Sequence, residues 1–574
     1  MKAIFLCVIA FCIVLFSCQE KPKADLIIYG GKIYTVESQD PIVEAVAIKD
    51  DKIIALGKLK EIEKYLGPQT KKLDLKGKIM IPGFIESHGH LLALGKQQRQ
   101  LDLSKVKNYD ELLETVADAA KKTPKGDWII GRGWHQSKWD PKPKLITGYQ
   151  AHERLSEISP DHPVMLTHAS GHALFANAAA MRLAGIDPDK RLNRENKIGD
   201  DGEIICYPNA KPTGIFTENA MTIIESMIPK DSKESLYKDL QMGFEECLRN
   251  GITSFQDAGS DASAIEVYRT ALKKNEFPLR LWIMLSYSNY AVEKQSEDDP
   301  FLVQWFKKGK ESGDYFSVGG VKLYADGALG SRGAWLLDEY SDRPGFKGNK
   351  LLPLDVMERI ADNCLKSGFQ LCTHAIGDRA NREVLNVYEK ALKKHPKKAT
   401  EHRFRIEHAQ HVDPKDIPRF KQLGIIASVQ TIHFSSDRPW AIDRLGQMRI
   451  QAGAYRWKQL IDSGAKVING TDTPVEPVNP IPCFYAAVTR KTLDGRAFET
   501  DQKMSREEAL KCYTLDAAYG AFEENKKGSI KVGKFADFTI LDRDIMRIPE
   551  EEILQSKVMM TIVGGKLRFE RKGE

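Results

Sequence analysis

Ile79-Met80-Ile81-Pro82-Gly83-Phe84-Ile85-Glu86-Ser87-His88-Gly89-His90 is an apolar, β-rich run that ends in two histidines. Residues two apart on an extended segment point the same way, so both imidazoles can converge on one cation. Taken alone, the pattern also fits two hydrogen-bonded histidines at a strand end. The arrangement recurs further along the chain. His374 follows the β-rich run 369–373, His408 follows 404–407, and Asp472 follows 467–471. With 78–85 as the first, eight candidate strands follow one another, the others at 252–256, 279–285, 320–324, 369–372, 404–406, 425–429 and 466–469. Helical patterns separate them, which is the mark of βα units and a parallel sheet. Eight such units predict an α/β chain folded as a (β/α)8 barrel, whose chemistry sits at the C-terminal strand ends.

Around this barrel, expected over 79–527, the sequence predicts three additions. An insertion over 97–250 separates the first two strands and has its own strand-like runs at 128–130 and 163–166. Residues 26–36 read as two β runs with a Gly-Gly turn, and 558–569 likewise turn at Gly564-Gly565. Small isolated sheets lack a core, so 25–78 and 528–574 are expected to form one composite β-sandwich. Residues 3–16 are an unbroken apolar run behind Lys2, shorter than the roughly 20 helical residues that span a bilayer. They read as a signal-peptide core. Leu15-Phe16-Ser17-Cys18 resembles a bacterial lipobox, with Cys18 as the lipidated residue, 1–18 as the signal and 19–24 as a tether. An ordinary secretory signal with a chance cysteine is the alternative. The lipobox reading predicts an exported, membrane-anchored lipoprotein on the periplasmic or outer-membrane and cell-surface side.

Composition narrows the function. Lys and Arg total 85 against 79 acidic residues, and that small excess is spread along the 574 residues, so nucleic-acid binding gains no support. Six cysteines outside the leader form no CxxC pair, which argues against a disulfide framework or a zinc-thiolate site. Lys322 lies inside the apolar run 318–324, where an unpaired ammonium is costly to bury. Two readings compensate it: a salt bridge to Asp326, or carboxylation by CO2 to give an anionic oxygen ligand between two metals.

Five segments together carry a resemblance: Pro-Gly-Phe-Ile-Glu-Ser-His-Gly-His at 82–90, Val-Lys-Leu-Tyr-Ala-Asp-Gly-Ala-Leu-Gly-Ser-Arg at 321–332, Thr-His-Ala-Ile-Gly-Asp-Arg-Ala at 373–380, Arg-Ile-Glu-His-Ala-Gln at 405–410 and Gly-Thr-Asp-Thr-Pro-Val at 470–475. The chain resembles the amidohydrolase superfamily, and more narrowly its amidohydrolase 3, YtcJ-like, family. The resemblance implies one or two divalent metals, zinc first. His88 and His90 would bind the first metal, carboxylated Lys322 would bridge, His374 and His408 would bind the second, and Asp472 would be both a ligand and the catalytic proton carrier. By the same resemblance the substrate would meet His168, His172, Trp134, His135, Trp139 and Arg332. For Trp134, His135 and Trp139 a packed aromatic cluster is the equal alternative. Glu86 stands where Asp is usual, and His168 where Arg is common.

The implied activity is hydrolysis of a non-peptide C–N bond in a small amide-type molecule by a metal-activated hydroxide. Hydrolysis of a lactone or other ester, an isomerisation, and a non-catalytic lipid-anchored binding protein are the alternatives. Retention of all six ligand positions speaks against the last. The oligomeric state is left open, a homo-oligomer included.

Overall fold

Eight short parallel strands carry the chemistry: β1 Phe84–Gly89, β2 Ile252–Ser260, β3 Arg280–Ser286, β4 Phe316–Tyr324, β5 Gln370–Ala375, β6 Arg405–His408, β7 Ile426–Val429 and β8 Lys466–Asn469. They pair in chain order in one sheet of the computed structural model. The structure describes residues 22–136, 139–168, 173–192, 202–218, 220–229, 231–287 and 299–572. The expected signal with Cys18, the start of the tether and His172 lie outside these residues. Every residue of β1, β6 and β7 is buried, as expected for a parallel sheet covered by helices. The amphipathic helices Leu354–Ser367 and Asp378–Lys394 supply part of that cover, burying Ile360 and Cys364 from one, Val384 and Tyr388 from the other.

The sheet is a nearly closed barrel. Where β1 meets β8, individual hydrogen bonds stand in for a ladder. Asp472 N–H donates to the His88 carbonyl and His90 N–H to the Thr473 carbonyl, each at 2.8 Å. The buried Glu86 carboxylate completes the join, accepting from His88 N–H at 3.0 Å, Thr471 N–H at 2.9 Å and Thr471 Oγ1 at 2.8 Å.

A second sheet draws on both chain ends. Its order is Lys566–Glu570, Val558–Val563, Phe538–Leu541, Ile79–Pro82, Leu26–Tyr34, Ile42–Lys49, Lys52–Gly57, with Lys71–Asp74 beside Leu26–Tyr34. Two readings of the sequence change here. The run 78–85, expected as one barrel strand, is two: Ile79–Pro82 pairs with Leu26–Tyr34 and Phe538–Leu541, and only the residues after Gly83 enter the barrel. Pro82 has no N–H to continue a ladder, and a Cβ on Gly83 would lie 2.1 Å from Thr253 Oγ1, so the chain crosses between sheets at the residue that fits. The Gly30-Gly31 pair is no turn. Leu26–Tyr34 runs through it as one strand with a register shift between Tyr29 and Ile33.

The insertion holds a third sheet, Gly202–Cys206, Pro212–Glu218, Ala173–Ala176, Val164–His168, Ile129–Trp134, Leu101–Asp102. It ends earlier than the expected 250. The helix Lys233–Arg249 buries Leu240, Phe244, Cys247 and Leu248 in the barrel's own core, so it covers the barrel rather than extending the insertion.

Candidate metal centre

Strand ends bring the six expected ligands together. His88 and His90 leave β1 two residues apart, and Asp472 follows β8, with its Oδ1 3.5 Å from His88 Nε2 and 3.3 Å from His90 Nε2. These three offer ligand atoms within 4.8 Å of one another. From β5 and β6 come His374 and His408, with ring centroids 4.4 Å apart and His408 4.9 Å from His88. Lys322 reaches in from β4, its Nζ 3.2 Å from His88 Nε2.

The surroundings fix which nitrogen of each imidazole faces the centre. His88 Nδ1–H donates to Glu407 at 2.5 Å and His408 Nδ1–H to Gln430 Oε1 at 2.8 Å, which turns both Nε2 lone pairs toward the centre, where Lys322 Nζ meets that of His88. The buried Nε2 of His374 has no hydrogen-bond partner. Burial, with the Lys322 cation next in weight, lowers His88 to about 4 and His374 to about 3, and burial and His374 hold His408 well below the ordinary range. Neutral imidazoles aimed at one point are what a divalent ion needs. Burial works against the charge of Asp472, yet His88, the hydrogen bond to His90 and His408 outweigh it and keep the carboxyl well below its usual range. His408 and Asp472 both adopt left-handed backbone, at φ 75° and 57°, a cost of roughly 1–3 kcal/mol for each non-glycine residue.

Of the two readings of Lys322, the Asp326 salt bridge does not form. Asp326 accepts the N–H groups of Trp335, Ile376 and Gly377 at 2.8–3.0 Å and lies against His374. Burial lowers the Lys322 amine below its ordinary range.

The profile of the Amidohydrolase family matches residues 71–569. The chain belongs to the amidohydrolase family. It is 32% identical over 552 residues to the putative amidohydrolase YtcJ of Bacillus subtilis (strain 168), covering 95% of this chain and 99% of that one. It is 28% identical to the N-substituted formamide deformylase of Arthrobacter pascens, over 96% and 99% of the two chains. Among solved structures, an uncharacterized metal-dependent hydrolase from Pyrococcus horikoshii superposes with a TM-score of 0.72 at 27% identity, over 92% and 99% of the chains. This amidohydrolase is therefore a hydrolase, and the His88, His90 and Asp472 cluster is consistent with a divalent metal.

Residues expected to face the substrate separate into groups. Trp134 and Trp139 are core residues of the insertion, packed with Tyr109 and Phe175, and Trp134 Nε1 donates to the Leu166 carbonyl at 2.8 Å. For these two the structure shows the packed cluster, because both rings are buried and each packs against aromatic side chains of the insertion. His168 stands edge-on to Trp134 and beside His135, at ring separations of 4.6 and 4.7 Å. His135 lines a cleft of about 710 Å³ between the insertion and the loop that follows Asp472, with Leu94, Lys105, Arg132, Val475 and Val478. Arg332 grips Asp342 at 3.1 and 2.9 Å, so its guanidinium is committed to the loop after β4. His172 lies outside the described residues.

Sequence reading passed over the Arg405–Glu407 pair. Arg405 clamps Glu407 at 2.7 and 3.0 Å and also donates to Gln256, Ser428 and the Ser87 carbonyl, all within the barrel. Opposite charges two apart on a strand buried throughout were the available signal.

Proposed function

We propose that this amidohydrolase cleaves a non-peptide C–N bond in a small amide-type molecule, releasing a carboxylic acid and an amine. The convergence of four imidazoles, one lysine and one carboxylate at the C-terminal ends of β1, β4, β5, β6 and β8 carries the proposal. His88, His90 and Asp472 would hold one ion, His374 and His408 a second, with Lys322 between them. Imidazole and carboxylate donors suit zinc. When bound, such ions supply hydroxide at neutral pH, lowering the pKa of water from 15.7 to about 7, and polarise a carbonyl. Asp472 takes the proton from the attacking water as its oxygen adds to the carbonyl carbon. It returns that proton to the leaving nitrogen as the C–N bond breaks. The cleft beside the Asp472 loop receives the remainder of the substrate, and the likeness to a formamide deformylase makes N-substituted formamides the first compounds to test.

Purified, zinc-loaded protein assayed against N-formyl amines, N-acyl amines, N-acyl amino acids, hydantoins and lactones tests the reaction class. Turnover of an amide that stops on chelation supports the proposal, and turnover of lactones alone replaces it with ester chemistry.

Lys322 is read as a carbamate: its neutral Nζ adds to the carbon of CO2 and loses a proton. Lys322→Ala is expected to lose metal and activity, with partial return of both on adding short carboxylic acids. An unmodified Lys322 in high-resolution density of metal-replete protein overturns the bridging role. The chain is also read as a lipoprotein anchored through Cys18 on the outer side of the inner membrane or beyond. Cys18→Ser is expected to move the protein from the detergent phase to the aqueous phase, and equal partition of variant and wild type removes that reading.

A further inference from the structure

Tyr324 closes β4 two residues after Lys322, so its side chain leaves the strand on the same side, into the mouth of the barrel. Its ring lies 5.5 Å from the ring of His374, and Lys322 Nζ sits 4.8 Å from the ring centroid. At 42% it is the exposed member of a strand end whose preceding residues, Lys322 and Leu323, are 1% exposed. Other tyrosines near the strand ends are engaged: Tyr268 donates to Asp257, Tyr388 to Thr373 and Tyr455 to Asp437. Among the described residues, no group hydrogen-bonds the Tyr324 hydroxyl. That hydroxyl reaches over the end of β2. A Cβ added to Gly259, at φ 118°, would meet it at 3.8 Å and Lys322 Cγ at 3.7 Å, so the approach between the two strands is open because this position carries no side chain.

We infer that the Tyr324 phenol is a catalytic hydrogen-bond donor, placed to hold the substrate's carbonyl oxygen as that oxygen gains negative charge. The inference rests on the amide-hydrolase reading above. As the water oxygen bonds to the carbonyl carbon, the C=O π pair moves onto the oxygen, which accepts the Tyr324 O–H without proton transfer. An ordinary phenol loses its proton only near pH 10, so the group donates throughout the neutral range. A purely structural Tyr324 would serve through its ring, stacked against Lys322.

Tyr324→Phe separates the two, because it keeps the ring and removes the hydroxyl. In the zinc-loaded protein, kcat for the amide substrate is expected to fall by about 10²–10³, as for the loss of one oxyanion donor, with KM and metal content unchanged. Calorimetry with methylphosphonate and acetate reads the same contact without turnover. The tetrahedral phosphonate should bind the variant more weakly by a similar factor, while planar acetate binds both proteins alike. Wild-type kcat together with undiminished phosphonate affinity in the variant overturns the role. If wild type turns over no amide but the variant still loses phosphonate affinity, the donor stands and the amide reading falls. If wild type neither turns over amides nor binds phosphonate, both fall.

Discussion

Asp472→Asn is expected to lower kcat for amide hydrolysis by about 10²–10⁴, the range that a positioned acid–base group supplies. The substitution keeps the shape of the side chain and one oxygen for coordination while removing the basic site. Its backbone is untouched, so the Asp472 N–H still meets the His88 carbonyl and the fold should hold. His374 and His408 lie on other strands and should retain their ion. The acidic limb of the pH–rate profile should shift or vanish with the carboxylate. Steady-state kinetics from pH 5 to 9, with metal content measured on the same samples, checks both points. A variant that works at near wild-type rate with that limb intact would place the proton on another group, with His168, His172 and Glu407 the next to replace.

Glu407→Ala should be the most destabilising single change at the site. The Arg405 guanidinium is fully buried, and Glu407 is the only carboxylate it touches among the described residues. Removing one partner of a buried pair leaves an uncompensated charge and costs about 3–5 kcal/mol. The same change takes away the acceptor that orients His88, so metal affinity should fall by about 10–100-fold. Urea denaturation and competition with a metal chelator measure the two losses separately. A pH series on metal-free wild type adds a signed expectation. Folding lowers His88 to about 4 and His374 to about 3 from the ordinary 6.5, so between those values the unfolded chain binds more protons. Their contribution is therefore complete above about pH 6.5 and declines as pH falls through the folded values. Imidazole resonances of His88 and His374 that titrate near 6.5 in the metal-free protein would contradict these depressed values.

The site residues were legible because His88, His90, His374, His408 and Asp472 each lie at or just past the end of a short strand, where a histidine or aspartate has no packing reason to recur five times. The barrel was legible for the same reason, as an alternation of strands and helices. Neither boundary beside it was. Ile79 to Ile85 is apolar throughout, and only the contact of Gly83 with Thr253 shows where one sheet hands the chain to another. The helix Lys233–Arg249 has the same periodicity whether its apolar face meets the insertion or the barrel. Arg405 and Glu407 were passed over because charged residues are read as solvated, whereas here each buries the other's charge. Trp134 and Trp139 were assigned by resemblance of a segment, which carries no information on which way a ring points.

Glu86, the backbone of Asp472 and the backbone of His90 join the first and last strands, so the barrel is a ring whose clasp is the candidate metal centre. An ion held by His88, His90 and Asp472 would therefore act as a removable cross-link between segments nearly four hundred residues apart in the chain. Closing a loop of that length removes more unfolded-state entropy than closing a short one. Amide hydrogens of His90, Thr471 and Asp472 are the natural reporters of that clasp, and their exchange with solvent should quicken when the ion is withdrawn while amides within β4 to β7 remain protected.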